Sequence, residues 1–167
     1  MGTARNELAC PAIGGSGESI INARPGVSAM TDAVEATLRD YYDALRAGEP
    51  IHPFFADEGP VVKVGIGERL VGADAVAAGL SEQSRTTTDW VVESRDLRVG
   101  TLGDGEGTGN AEFAWFGDDV FMGWTDTGRG IRFEFETRWS GAMARRDDEA
   151  GREWRFVEMH VSVEGDT

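Results

Sequence analysis

At 167 residues, with 40% hydrophobic and 28% charged content, the chain is a globular protein large enough for one domain with one good core. Against 16 Lys and Arg stand 30 Asp and Glu, a net charge of −14 that repels nucleic-acid phosphates and anionic membranes and argues against a steered anionic substrate. No stretch approaches the roughly 18 apolar residues of a membrane span. Cys10 is the only cysteine, so no internal disulfide forms and a reduced, cytoplasmic setting is expected. Lys63 is the only lysine; every other cation is arginine. That imbalance fits adaptation to high salt, and it fits arginine-rich codon usage equally well.

Residues 1–29, with Pro11, Gly14, Gly15, Gly17, Pro25 and Gly26, read as a flexible tail before a domain over 30–167. Met30 precedes a clean helix start and is either the true initiator or the end of a disordered arm. The first helix is expected over 32–47, capped by Thr31 or Asp32, with Glu35 at capping-box spacing. Val34, Leu38, Tyr41, Tyr42 and Leu45 form its apolar face, and Gly48 and Pro50 stop it. Pro53 to Ala56 predicts one helical turn. Strands are expected over 61–66 and 70–71, separated by a turn at Gly67-Glu68-Arg69. A second amphipathic helix covers 74–84, with Val76, Ala77 and Leu80 inward.

A strand is predicted over 90–99, a flexible hairpin loop over 103–109 and a returning strand over 110–116. Gly117-Asp118-Asp119 and Asp126-Thr127-Gly128 read as turns around a short apolar piece, 120–125, of no evident place. Period-two alternation then predicts a long antiparallel hairpin, with Ile131 to Ser140 and Trp154 to Val163 as its arms. Helices first and strands after predict an α+β fold, helices packed on one side of an antiparallel sheet.

The phrases Asp40-Tyr41-Tyr42-Asp43-Ala44-Leu45, Phe54-Phe55-Ala56-Asp57, Val71-Gly72-Ala73-Asp74 and Trp154-Arg155-Phe156-Val157-Glu158-Met159-His160 occur in that order. Together they resemble the SnoaL-like branch of the nuclear-transport-factor-2-like superfamily over roughly residues 30–164. The resemblance implies a curved sheet folded into a cone, closed by the N-terminal helices around a pocket. It also implies a homodimer formed through the sheet. The superfamily holds isomerases, cyclases, dehydratases, epoxide hydrolases, a kinase association domain and members without known activity, so the fold does not fix the chemistry.

Tyr41 is similarly placed to the tyrosine that donates to an oxyanion in ketosteroid isomerases, or it is one more residue of the apolar face. The carboxylate base of those enzymes falls, by the same count, on Lys63, so proton abstraction by that usual acid is not expected. Glu136 is similarly placed to their protonated acid. His160 suits acid–base work at neutral pH, with Glu158 two residues away on the same strand face, or it makes a structural hydrogen bond. His52 reads as an exposed turn residue.

Arg138 resembles an arginine that lines a carboxylate-accepting pocket in the kinase association domain, although Val161 stands where that domain has a further arginine. Alternatively Arg132, Glu134, Glu136 and Arg138 form a charged stripe on one sheet face, with Phe133, Phe135 and Trp139 on the other. Trp90, Trp115, Trp124, Trp139 and Trp154 line a pocket for a flat ligand, or fill a core and a dimer interface. No zinc set, phosphate loop, calcium loop at Asp104 and Glu106, glycine-flanked serine nucleophile or cofactor motif is legible.

Three readings follow. The first is a homodimeric cone that binds a small, largely apolar molecule, with Tyr41, Arg138 and His160 facing it and Glu136, Trp90 and Trp115 nearby. The second is an isomerase, cyclase or dehydratase using His160 and Tyr41. The third is a structural dimer with a filled pocket.

Overall fold

The computed structural model describes residues 25–102, 112–146 and 153–165. Helix α1 spans Pro25–Ala47 and is followed by a short 3-10 turn, His52–Phe54. Strands β1 (Val62–Val64) and β2 (Arg69–Val71) precede helix α2 (Ala73–Thr86). Then come β3 (Thr87–Ser94), β4 (Arg98–Leu102), β5 (Phe113–Asp126), β6 (Ile131–Arg145) and β7 (Trp154–Val163).

Helix α1 buries Val34, Leu38, Tyr41, Tyr42 and Leu45, the stripe that helical spacing predicts. It starts earlier than the expected Asp32. Pro25 opens it, because a first-turn residue needs no N–H partner and the proline ring already holds a helical φ. Thr31 and Asp32 therefore lie inside the helix, and 25–29, expected as tail, are helical. The tail over 1–24, with Cys10, and the loop over 103–109 lie outside the described residues. Gly48, at φ +69°, closes the helix, its N–H donating to the Leu45 carbonyl at 3.1 Å.

The sheet order is β2-β1-β7-β6-β5-β3, with β4 also paired to β5. Every pairing is antiparallel except β1 with β7, which is parallel. The sheet is curved and unclosed, with the helices on its inner side.

Two expectations need correction. The strand expected over 90–99 is two strands, β3 and β4, broken at 95–97. The turn expected at Gly117-Asp118-Asp119 is the middle of β5, one unbroken strand that absorbs the unplaced 120–125. Asp118 explains both. Its carboxylate is buried and takes the Tyr42 hydroxyl at 2.9 Å and the Asp96 backbone N–H at 3.1 Å. A residue poorly suited to strands is thus held mid-strand by two donors, and one of them shapes the β3–β4 corner.

The terminal hairpin forms as predicted, β6 against β7, with Trp139 opposite Val161 and Ser140 opposite His160. A bulge between Ala142 and Met143 resets its parity. Phe156 points inward before the bulge and Met159 and Val161 after it; all three are buried.

Candidate functional site

The inner side of the curved sheet, α1 and α2 enclose a cavity of about 390 Å³. Its walls are largely apolar: Trp90, Trp124 and Trp139, with Met122, Met159 and Val161. Trp90 stacks on Trp124 at 5.1 Å, and Trp124 stacks in turn on Phe133 at 5.5 Å. The Trp90 indole N–H donates to the Thr87 hydroxyl at 2.9 Å, which fixes the ring where β3 bulges.

The polar part of the lining includes Tyr41, Lys63 and Glu68, together with Glu82, Gln83, Thr86 and Thr87. Lys63 lies mid-strand in β1, between two half-buried valines, with only 5% of its surface exposed. Alternation therefore runs against hydrophobicity here: the valines face away and the lysine faces in. The Lys63 ammonium donates to Glu68 Oε1 across the β1–β2 turn. Glu68 is the more open partner, with 38% of its side chain exposed against 7% for Lys63. Gly65 sits close against the pair. A Cβ there would lie 3.0 Å from Glu68 Cγ and 3.4 Å from Lys63 Nζ.

Tyr41 is set edge-on among Phe54 at 5.4 Å, Phe156 at 5.1 Å and Trp139 at 6.2 Å. Its hydroxyl has no hydrogen-bond partner among the described residues. Burial, helped by the Glu68 carboxylate, pushes that hydroxyl well above its ordinary pKa, so it is a neutral donor throughout the physiological range.

Of the residues expected at a pocket, Tyr41 and Trp90 line the cavity, whereas His160, Arg138, Glu136 and Trp115 do not. His160 is exposed on the outer sheet face, because the bulge turns Met159 and Val161 inward and leaves Glu158 and His160 outside. Glu158 shares that face. Partial burial raises its carboxyl pKa, and His160 partly opposes the shift. Arg138 is exposed and reaches Glu164, and Glu136 accepts from Arg95 at 2.7 Å. The charged stripe of β6 thus lies on the outer face, with Arg132 bonded to Glu134. Trp115 lies over Gly100, where a Cβ would come within 2.5 Å of its ring, and is 47% exposed. His52 is exposed, as its turn position suggested.

Glu68 is the site residue that sequence reasoning missed. In sequence it reads only as part of a turn, yet a tight hairpin between two short strands brings positions five apart face to face. No group of His, Cys, Asp or Glu suited to a metal occurs among the described residues. No helix among them is long and apolar enough to cross a membrane.

The SnoaL-like domain family matches residues 34–164. The chain belongs to this family. Similar solved structures support the same SnoaL-like fold. One is a candidate dehydratase of the nuclear-transport-factor-2-like family from Streptomyces avermitilis, 16% identical over 83% of this chain and 99% of that one, TM-score 0.67. A superfamily protein from Salmonella enterica is 14% identical over 84% and 94%, TM-score 0.66. A ketosteroid isomerase-like protein from Erwinia carotovora atroseptica is 16% identical over 81% and 97%, TM-score 0.60. At such identities the likeness is one of fold. None of the curated proteins matches this SnoaL-like chain.

Proposed function

We propose that this SnoaL-like domain binds a small, flat, uncharged and largely apolar molecule that carries one hydrogen-bond-accepting oxygen. The observation that carries this reading is Tyr41, whose hydroxyl has no hydrogen-bond partner among the described residues, in the lining of a cavity with three tryptophans and two methionines. Stacked rings suit a planar ligand, and the Tyr41 hydroxyl suits its oxygen. Lys63 is balanced by Glu68, and Glu82 adds a further carboxylate to the lining, so a neutral ligand fits better than an anionic one.

Native mass spectrometry of protein purified from its own cells tests for a retained ligand. Calorimetric titration with 2-naphthol tests the cavity directly. Saturable one-to-one binding that Trp90→Ala weakens supports the reading; absence of both a retained ligand and naphthol binding overturns it.

An enzymatic reading of the isomerase, cyclase or dehydratase kind also draws support from this cavity. Its donor is Tyr41, and its acid–base groups are Lys63 and Glu68 in place of the outward-facing His160. The outer face, with Phe113 and Trp115 partly exposed, supports a homodimer through the sheet. The mass from the same native spectrum tests it: a dimer is expected, and a monomer at micromolar concentration contradicts it.

A further inference from the structure

The chain carries 16 Lys and Arg, and Lys63 alone among them is a lysine. Among the described residues it is also the one cation lining the cavity. Arginine would serve an ion pair with Glu68 at least as well. What lysine does and arginine does not is give up its proton and act as a nucleophile. Three features converge on that use. The Lys63 amine is buried against apolar walls, a carboxylate is in hydrogen-bond contact with it, and an unpartnered hydroxyl lines the same space.

We propose that Lys63 condenses with the carbonyl carbon of an aldehyde or ketone bound in the cavity to form an iminium, with Glu68 as proton carrier and Tyr41 as donor to the carbonyl oxygen. The inference rests on the binding reading above and names the ligand's reactive group.

The step balances without a further reactant. Glu68 takes a proton from the Lys63 ammonium, and the freed amine forms a carbon–nitrogen bond at the carbonyl carbon. The carbonyl oxygen, hydrogen-bonded to Tyr41, receives a proton released from the nitrogen and becomes a hydroxyl. Glu68 returns its proton to that hydroxyl, the carbon–oxygen bond breaks and water leaves. Ammonium and carbonyl give protonated iminium and one water, with no change in oxidation state. Loss of a proton from the carbon beside the iminium then gives an enamine, the electron-rich form through which isomerisations and dehydrations of carbonyl compounds run.

The test is reductive trapping of the full chain with 2-naphthaldehyde and sodium cyanoborohydride at neutral pH, read by intact mass and peptide mapping. Because the chain has one lysine, each adduct is assigned without ambiguity to Lys63 or to the α-amino terminus. In the folded protein Lys63 is expected to be trapped about 100-fold faster than in the urea-unfolded chain, with the terminus as internal reference. Excess 2-naphthol should protect it, Tyr41→Phe should slow it, and Glu68→Gln should slow it by about 100-fold. Trapping at the terminus alone, or Lys63 trapping no faster folded than unfolded, overturns the proposal. If 2-naphthol binds and no Lys63 adduct forms, the iminium fails and the binding reading stands. If 2-naphthol does not bind and no retained ligand is found, the binding reading fails on its own.

Discussion

Tyr41 and Tyr42 are neighbours on one helix, both buried, and only Tyr42 has a hydrogen-bond partner among the described residues. Tyr42 reaches down to Asp118 in the middle of β5 and ties helix to sheet. Tyr41, a turn-fraction away, meets the cavity instead. One residue supports the fold, and the other supplies its free donor.

The first prediction concerns that tie. Tyr42→Phe removes the hydroxyl and leaves the buried Asp118 carboxylate with one donor fewer. The expected loss is about 1–3 kcal/mol in urea unfolding, with the slope unchanged. Tyr41→Phe, which breaks no hydrogen bond to a described residue, should change stability by less than about 0.5 kcal/mol.

These are the only two tyrosines of the chain, and burial raises the pKa of both hydroxyls above 10.0. A pKa raised in the folded state gives stability that is whole below the unfolded value and is lost as pH rises past it. Stability should therefore hold to about pH 10 and fall beyond it. Ultraviolet difference spectroscopy should show tyrosinate appearing in one cooperative step with unfolding. Gradual ionisation around pH 10 in the folded protein would contradict the burial of both rings.

The Lys63–Glu68 pair should respond asymmetrically. Glu68→Ala leaves a buried ammonium without its counter-charge and should destabilise by about 3 kcal/mol. Lys63→Met leaves a carboxylate that water already reaches and should be close to neutral. Equal losses in a urea titration would place both charges in the same environment, contrary to the structure.

Glu158 gives the opposite pH signature to an ion-paired acid. Its carboxyl pKa is raised above 4.5 by partial burial on the outer face. The charged form is disfavoured in the folded state, so stability is lost as pH rises through the folded pKa. Glu158→Gln should raise the melting temperature at pH 7 and have no effect below about pH 4. A destabilising effect at pH 7 would refute this sign.

Gly141 sits where β6 meets the bulged part of β7. A Cβ there would lie 2.2 Å from the Glu158 carbonyl oxygen and 2.7 Å from the Phe116 ring. Backbone cannot swing aside as a side-chain end can, so Gly141→Ala should destabilise by about 3 kcal/mol. A neutral outcome in thermal unfolding would mean that the hairpin register differs.

Much of the architecture was legible because it is written in periodicity. The apolar stripe of α1 and the alternation of β6 and β7 each follow from residue spacing alone. What was illegible depends on contacts between distant residues. Gly117-Asp118-Asp119 looks like a turn until Tyr42, 76 positions away from Asp118, supplies a donor. Nothing local to Lys63 shows that Glu68 meets it inside the cavity. His160 looked the best acid–base group, but the bulge beside Met143 decides which way it points, and a bulge leaves no local mark on the sequence.

The central claim is that sheet and helix leave a hollow between them, with Tyr41 and Lys63 in its lining and stacked tryptophans along its wall. A crystal structure of the protein soaked with a bromonaphthol tests it most directly through the anomalous signal of bromine. The account predicts one peak within the hollow, among Trp90, Trp124 and Trp139, with the naphthol oxygen directed at Tyr41. A hollow closed by its own tryptophan side chains, or bromine bound only outside it, would contradict the account.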